Sequence, residues 1–181
     1  MTKIIAIGGE PGAGKSTLMH EILEKYSWKF DYDSFKLVPY LTNEKRVYAL
    51  GKYYEEGQVF SGTDRMSMAV QPEAIKFLAS IPKDSIVLFE GDRLFNASFL
   101  EHCVENYDCE ILYLDTDKSI RDDRCKDRGS EQNETWLQGR ETKLSNIMTN
   151  MLLMFNLTKF KNNNKEDQKN IIEYKIGRAH V

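Results

Sequence analysis

The stretch IIAIGGEPGAGKST, residues 4–17, constrains the fold more than any other part of the 181-residue chain. Its first half is apolar and β-branched at Ile4, Ile5 and Ile7, which favours a short buried strand over residues 3–8. Glycines then break the run, and KSTLMHEILEKY places Leu18, Met19, Ile22 and Leu23 on one side of a helix. Strand, glycine loop and helix in this order form a cradle for anions, and Gly9-x-x-x-x-Gly14-Lys15-Ser16 satisfies the full Walker A spacing. In such a loop Gly9, Gly12, Ala13 and Gly14 turn backbone N–H groups toward the phosphates of a nucleotide. Lys15 reaches the β- and γ-phosphates, the Ser16 hydroxyl ligates Mg²⁺, and Thr17 is read with them as a nucleotide-binding residue. ATP and Mg²⁺ are therefore the expected donor and cofactor.

The rest of the chain repeats short apolar strands between helices. FKLVPYL (35–41), SIVLFE (85–90) and EILYLD (110–115) read as strands, and QPEAIKFLASI (71–81) and NASFLEHCVENY (96–107) as helices. A fifth strand is expected near 152–156, followed by an asparagine-rich turn and a helix in KEDQKNIIEYK. This alternation predicts an α/β fold of the P-loop NTPase kinase type, a parallel sheet of about five strands with helices on both faces. Residues 42–70 read as a substrate-side insert whose RVYALGKYY is aromatic enough for a hairpin or strand.

Residues 1–175 read as a single P-loop kinase domain. The last six residues, IGRAHV (176–181), fit no motif and match one reading frame of a sequencing adapter, so they are read as a non-native tail beyond which the natural chain continues. No apolar stretch reaches the roughly 20 residues of a spanning helix. No secretory leader is recognisable either, and a cytoplasmic location is expected. Cys103, Cys109 and Cys125 lack C-x-x-C spacing, so reduced and mostly buried thiols are expected rather than a zinc site or disulfides. A net charge of −3 provides no global attraction to nucleic acid but is compatible with a local basic surface.

Three further groups carry chemistry. Glu90 and Asp92 end a strand at the sheet edge where ligands bind in open α/β folds, and a carboxylate there holds Mg²⁺ or orients the attacking group. The competing reading is a turn-forming acid, with Arg93 as the ion-pair partner of Asp92. In SGTDRMSM, Asp64 can accept a proton from an acceptor hydroxyl while Arg65 pairs with an acceptor phosphate; a Gly-Thr-Asp turn capping the next helix is the alternative. The segment 117–143 is dense in charge. Its Arg121, Arg124 and Arg128 share a helical face, followed by Arg140 and Lys143, as a closing lid over a γ-phosphoryl group requires. The interleaved Asp122, Asp123 and Asp127 also allow a self-neutralising surface helix. Trp136 reads as a base-stacking residue or as a core or hinge anchor.

Taken together, GGEPGAGKST, GTDRMSM, VLFEGDRL and WLQGRETK resemble the phage-type P-loop kinases that phosphorylate 5-hydroxymethyluracil in DNA, a step in thymidine hypermodification. The resemblance spans most of residues 3–170. It implies ATP with Mg²⁺ as donor and DNA containing 5-hydroxymethyluracil as partner. It also implies Asp64 and Arg65 on the acceptor side, with Glu90 and Asp92 at the metal and attack geometry; Arg93 and Arg140 are read as further substrate-binding residues. Arg124, Arg128 and Arg140 would belong to the lid, and residues 162–167 would lie near the adenine. Whether Asp64 or Asp92 is the general base stays open. A small-molecule or nucleotide kinase of the same fold and a regulatory P-loop NTPase are the rival readings.

Overall fold

The computed structural model describes residues 1–25, 28–31, 35, 37–43, 45–53, 62–129 and 133–176. In chain order the elements are β1 (Lys3–Gly9), α1 (Lys15–Leu23), β2 (Lys29–Asp31), β3 (Tyr40–Thr42) and β4 (Val47–Leu50). A 3₁₀ turn (Thr63–Arg65), α2 (Val70–Ser80), β5 (Ile86–Glu90), α3 (Ala97–Asn106) and β6 (Asp108–Asp115) follow. The chain then forms α4 (Lys118–Asp127), α5 (Glu134–Met148), β7 (Leu157–Lys161), α6 (Lys165–Ile171) and a π-helical turn, Ile172–Ile176.

The sheet has seven strands in the order β2-β3-β4-β5-β1-β6-β7. Five of them, β4, β5, β1, β6 and β7, are parallel, as expected, while β2 and β3 add an antiparallel edge. Side chains alternate across a strand, so β1 serves two cores. Ile4 and Ala6 face α2, α3 and α5 through Phe77, Phe99 and Ile147, whereas Ile5 and Ile7 face α1 and α6 through Leu18, Ile22 and Ile171. Burial on both faces explains why the strands read as unbroken apolar runs.

The aromatic segment beyond β3 is both hairpin and strand. Val47–Leu50 pairs antiparallel with β3 and parallel with β5. Tyr40 and Tyr48 pack on Phe77 of α2, with ring centroids 4.8 and 5.7 Å away. Residues 44 and 54–61 of the expected insert lie outside the described residues, as do 130–132 of the charged segment and 177–181 of the expected tail.

Two strand expectations are corrected. The strand expected at 35–41 is confined to Tyr40–Thr42, because Pro39 has no N–H for the ladder; its carbonyl instead accepts the Gly51 N–H at 2.8 Å. The strand expected near 152–156 is a turn, and β7 begins at Leu157. Asn150 organises that turn: its side chain accepts the Leu152 N–H at 2.9 Å and its carbonyl accepts the Leu153 and Met154 N–H groups. Cys103 and Cys109 are buried as expected. A hydrogen bond between them, together with burial, pushes the Cys103 thiol far above its ordinary range. Among the described residues no helix is long and apolar enough to cross a membrane.

Candidate active site

The parallel register brings the ends of β1, β5 and β6 together at one edge of the sheet. Ile7 of β1 lies beside Glu90 of β5, and Gly9 beside Leu114 of β6, so the glycine loop emerges between the ends of both neighbours. Gly14, at φ 89°, caps α1 in the left-handed region and offers no side-chain cap to the helix. Its N-terminal N–H groups are thereby left to an incoming anion. Space also demands glycine here, since a Cβ on Gly14 would stand 2.6 Å from Asn162 Nδ2. Lys15 bends back over the loop, donating from Nζ to the carbonyls of Gly9 (3.0 Å) and Glu10 (3.1 Å). Burial pulls its pKa below the ordinary lysine value, against the opposing pull of Glu90 and Asp64. Ala13 is buried and Thr17 is exposed on the first helical turn.

The acidic motifs interlock although they are far apart in sequence. Glu90 is buried, accepts from Ser16 Oγ at 3.4 Å, and through its carbonyl accepts from Thr63 Oγ1 at 2.7 Å. Asp64 Oδ1 accepts the Asp92 N–H at 2.7 Å. Gly62 is tied by paired backbone bonds to Lys52 just beyond β4, and a Cβ there would fall 2.0 Å from Glu90 Oε1. The Thr63 and Asp64 side chains thus bind the end of β5; the helix-cap alternative for Gly-Thr-Asp is not what they do. Arg65 closes the 3₁₀ turn. Burial, then the nearby Asp64 carboxylate, pushes Glu90 up to about 8, with Lys15 and the Ser16 hydroxyl pulling the other way. Burial raises Asp64 as well.

Ser16 and Glu90 present two hard oxygen donors side by side, and among the described residues no cluster of three or more His, Cys, Asp or Glu is built to hold a metal. That donor set fits Mg²⁺, which takes one or two protein oxygens and completes its shell with phosphates and water.

The arginines divide by task. Arg121 pairs with Glu10 of the loop and donates from Nε to the Thr116 carbonyl at 3.1 Å. Arg124 spreads its guanidinium over three carbonyls, Gly12 (3.2 Å), Asn162 (3.2 Å) and Asn163 (3.1 Å), stapling the glycine loop to the β7–α6 turn. Asn162 reinforces this staple, donating from Nδ2 to the Ala13 carbonyl at 2.6 Å. Arg128 ends α4 close enough for its charge to act on Lys15 and Glu90. Arg140, on α5, pairs with Asp92. Arg93 donates to the Met66 carbonyl at 3.3 Å, so the Asp92–Arg93 pairing of the competing reading is replaced by Asp92–Arg140.

Beside Asp92 opens a cavity of about 430 Å³. Met68 and Trp136 give it an apolar wall, and Arg93, Arg140 and Lys143 a cationic one. Trp136 is 38% exposed and lies 4.6 Å under the Arg140 guanidinium, so it forms this wall and is no core anchor. Met68 closes the SGTDRMSM motif but was given no role from the sequence, where nothing distinguishes it from Met66.

The sequence matches the family described as P-loop Nucleotide Kinase3 over residues 1–160. The chain belongs to this P-loop nucleotide kinase family. No curated protein matches it. Among solved structures it is similar to an unliganded sugar kinase from Janibacter sp. HTCC2649, at 12% identity and a TM-score of 0.51, covering 96% of this chain and 94% of that one. It is also similar to an uncharacterized protein from Eubacterium ventriosum ATCC 27560, at 17% identity and a TM-score of 0.46, covering 94% and 96%. The first likeness shows a shared kinase-type fold.

The Arg124 staple makes a prediction of its own. Arg124→Ala removes donors from three carbonyls and is expected to cost about 2 kcal/mol of stability, visible as a lowered Tm. ATP affinity should fall with it, because the staple fixes the loop. A variant with wild-type Tm and wild-type ATP affinity in calorimetry would contradict the role.

Proposed function

We propose that this kinase transfers the γ-phosphoryl group of ATP to a hydroxyl of an anionic pyrimidine nucleotide, specifically the 5-hydroxymethyl group of hydroxymethyluracil in DNA. The observation that carries the reading is the cavity beside Asp92, where the partly exposed Trp136 suits a base and the lining cations suit a phosphate. The four motifs resembling hydroxymethyluracil DNA kinases support the finer assignment.

The chain's residues divide the work as follows. The loop N–H groups, the start of α1 and Lys15 hold the donor phosphates, while residues 162–167 border the adenine side. Ser16 and Glu90 would hold Mg²⁺, which when bound neutralises charge on the phosphoryl oxygens. Arg128 adds positive charge from the lid. Asp92 lines the cavity and is the group facing the acceptor; Asp64, bound to the Asp92 N–H, positions it. Arg65 and Arg93 serve the acceptor phosphates. The acceptor oxygen bonds to the γ-phosphorus as the bond to the β,γ-bridging oxygen breaks. ADP leaves, and the hydroxyl proton passes to Asp92 and on to solvent.

A second reading, a kinase for free nucleotides, is favoured by the modest cavity volume and the net charge of −3. Labelling with γ-³²P-ATP separates the two. Hydroxymethyluracil DNA, thymine DNA, 5-hydroxymethyl-deoxyuridine and its monophosphate are offered in parallel. Label in the modified DNA, absent from thymine DNA, is expected. Label in the monophosphate alone would replace the polymer with a free nucleotide, and ATP hydrolysis with no labelled acceptor would return the chain to a regulatory NTPase.

A further inference from the structure

The Asp92–Arg140 pair occupies the place where acceptor chemistry must begin. Asp92 has a fixed backbone: its N–H is held by Asp64, and its carbonyl accepts from Lys143 Nζ at 2.8 Å. Only its carboxylate is free to change partner. That carboxylate is bound by Arg140, and both side chains are largely buried at the cavity wall, 18% and 17% exposed. A carboxylate oxygen engaged by a guanidinium is a poorer acceptor for an incoming hydroxyl.

Arg140 itself is poised between partners. It lies over Trp136, the residue one helical turn earlier on α5, so its guanidinium can slide across the ring without losing that support. Among the described residues, Arg93, Arg140 and Lys143 line the cavity against one lining carboxylate, that of Asp92. Burial and the neighbouring Arg140 lower the Lys143 pKa, with Asp64 pulling the other way. A phosphate entering this wall competes with Asp92 for Arg140 and matches the guanidinium fork at least as well.

We propose that the Asp92–Arg140 pair is an anion-operated latch. The phosphate of the acceptor draws Arg140 away from Asp92, and the released carboxylate receives the acceptor's hydroxyl. Arg140 is thus a positioning and specificity residue. A neutral nucleoside fills the base site but meets an Asp92 that is still paired, so discrimination falls in kcat rather than in KM. This rests on the kinase reading given above.

Two arms test it. In the first, kcat is measured at saturating 5-hydroxymethyl-deoxyuridine and at its saturating 5′-monophosphate, in wild type and in Arg140→Gln. The wild-type ratio is expected to favour the monophosphate by about tenfold or more and to collapse to within about twofold in the variant. Each ratio is taken within one preparation, so any loss of folded protein cancels. A wild-type ratio near one, or a ratio unchanged by Arg140→Gln, overturns the latch.

The second arm needs no turnover. Trp28→Phe leaves Trp136 as the one tryptophan, and a non-hydrolysable ATP analogue with Mg²⁺ fills the loop. Titrated inorganic phosphate should change Trp136 emission saturably, and adding Arg140→Gln should abolish the change. No saturable change overturns the proposal. If neither free acceptor is labelled, the substrate reading is decided by labelling of the modified DNA, while this arm still decides the latch.

Discussion

Lys15→Met is expected to lower kcat for phosphoryl transfer by about 10²- to 10³-fold, the loss typical when one preorganised charge is removed from a reacting centre. Methionine keeps the aliphatic reach of lysine, so the loop retains most of its packing and loses the ammonium. The ammonium is already desolvated under the loop, bonded to the Gly9 and Glu10 carbonyls, and needs little reorganisation to meet a phosphate. Charge builds on the transferring oxygens in the transition state, so the loss belongs mainly in kcat. ADP, which lacks the γ-phosphate, should still bind within about tenfold of wild type, because the loop N–H groups and the start of α1 remain. Steady-state kinetics and ADP calorimetry on the same preparation check both halves. A variant with unchanged kcat would remove Lys15 from the chemistry.

What the sequence made legible was local. β1, the glycine loop and α1 are encoded in consecutive residues, each glycine marking its own backbone requirement, and they stand where the spacing put them. Helices α2 and α3 were similarly readable from one-sided apolar stripes, within one residue at each end. The three-residue strand β2 was not, and β3 was read too long and too early, since so short a pair has no period and is defined by its partners. Met151–Asn156 misled because an apolar run resembles a strand unless the turn-forming Asn150 before it is weighed.

The site followed the same division. Glu90, Asp64 and Asp92 were identifiable as acids at a strand end and in a loop, but their interlock was not. Thr63 binds a carbonyl and Asp64 binds an N–H, and backbone groups leave no mark on residue identity. The Arg124 staple stayed hidden for that reason too: the helical spacing put Arg121, Arg124 and Arg128 on one face, while the three carbonyls that Arg124 holds have no side-chain signature. Trp136 and Arg140 are four residues apart, so their stacking was available from helical spacing alone.

Glu90→Gln is expected to produce opposite effects in the free and the loaded protein. In the unfolded chain this carboxyl loses its proton near 4.5, whereas in the fold burial and Asp64 hold the proton up to about 8. Between those values the folded state binds more protons than the unfolded one, so the stability that Glu90 contributes is complete below about 4.5 and is lost as pH rises through about 8. Glutamine resembles the neutral acid in shape and cannot ionise, so it does not incur that loss. The variant's Tm minus the wild-type Tm should therefore grow from pH 5 to pH 8 and level off above it, in protein without nucleotide or metal. With MgATP the ordering reverses, because a neutral amide is a weaker Mg²⁺ ligand than a carboxylate. Transfer by Glu90→Gln should fall by about 10²-fold, and the stabilisation that MgATP gives the wild type should shrink. Melting curves across pH, with and without MgATP, read both effects. Parallel curves for the two proteins without nucleotide would mean that Glu90 is not held neutral beneath Gly62, and an undiminished response to MgATP would separate Glu90 from the metal.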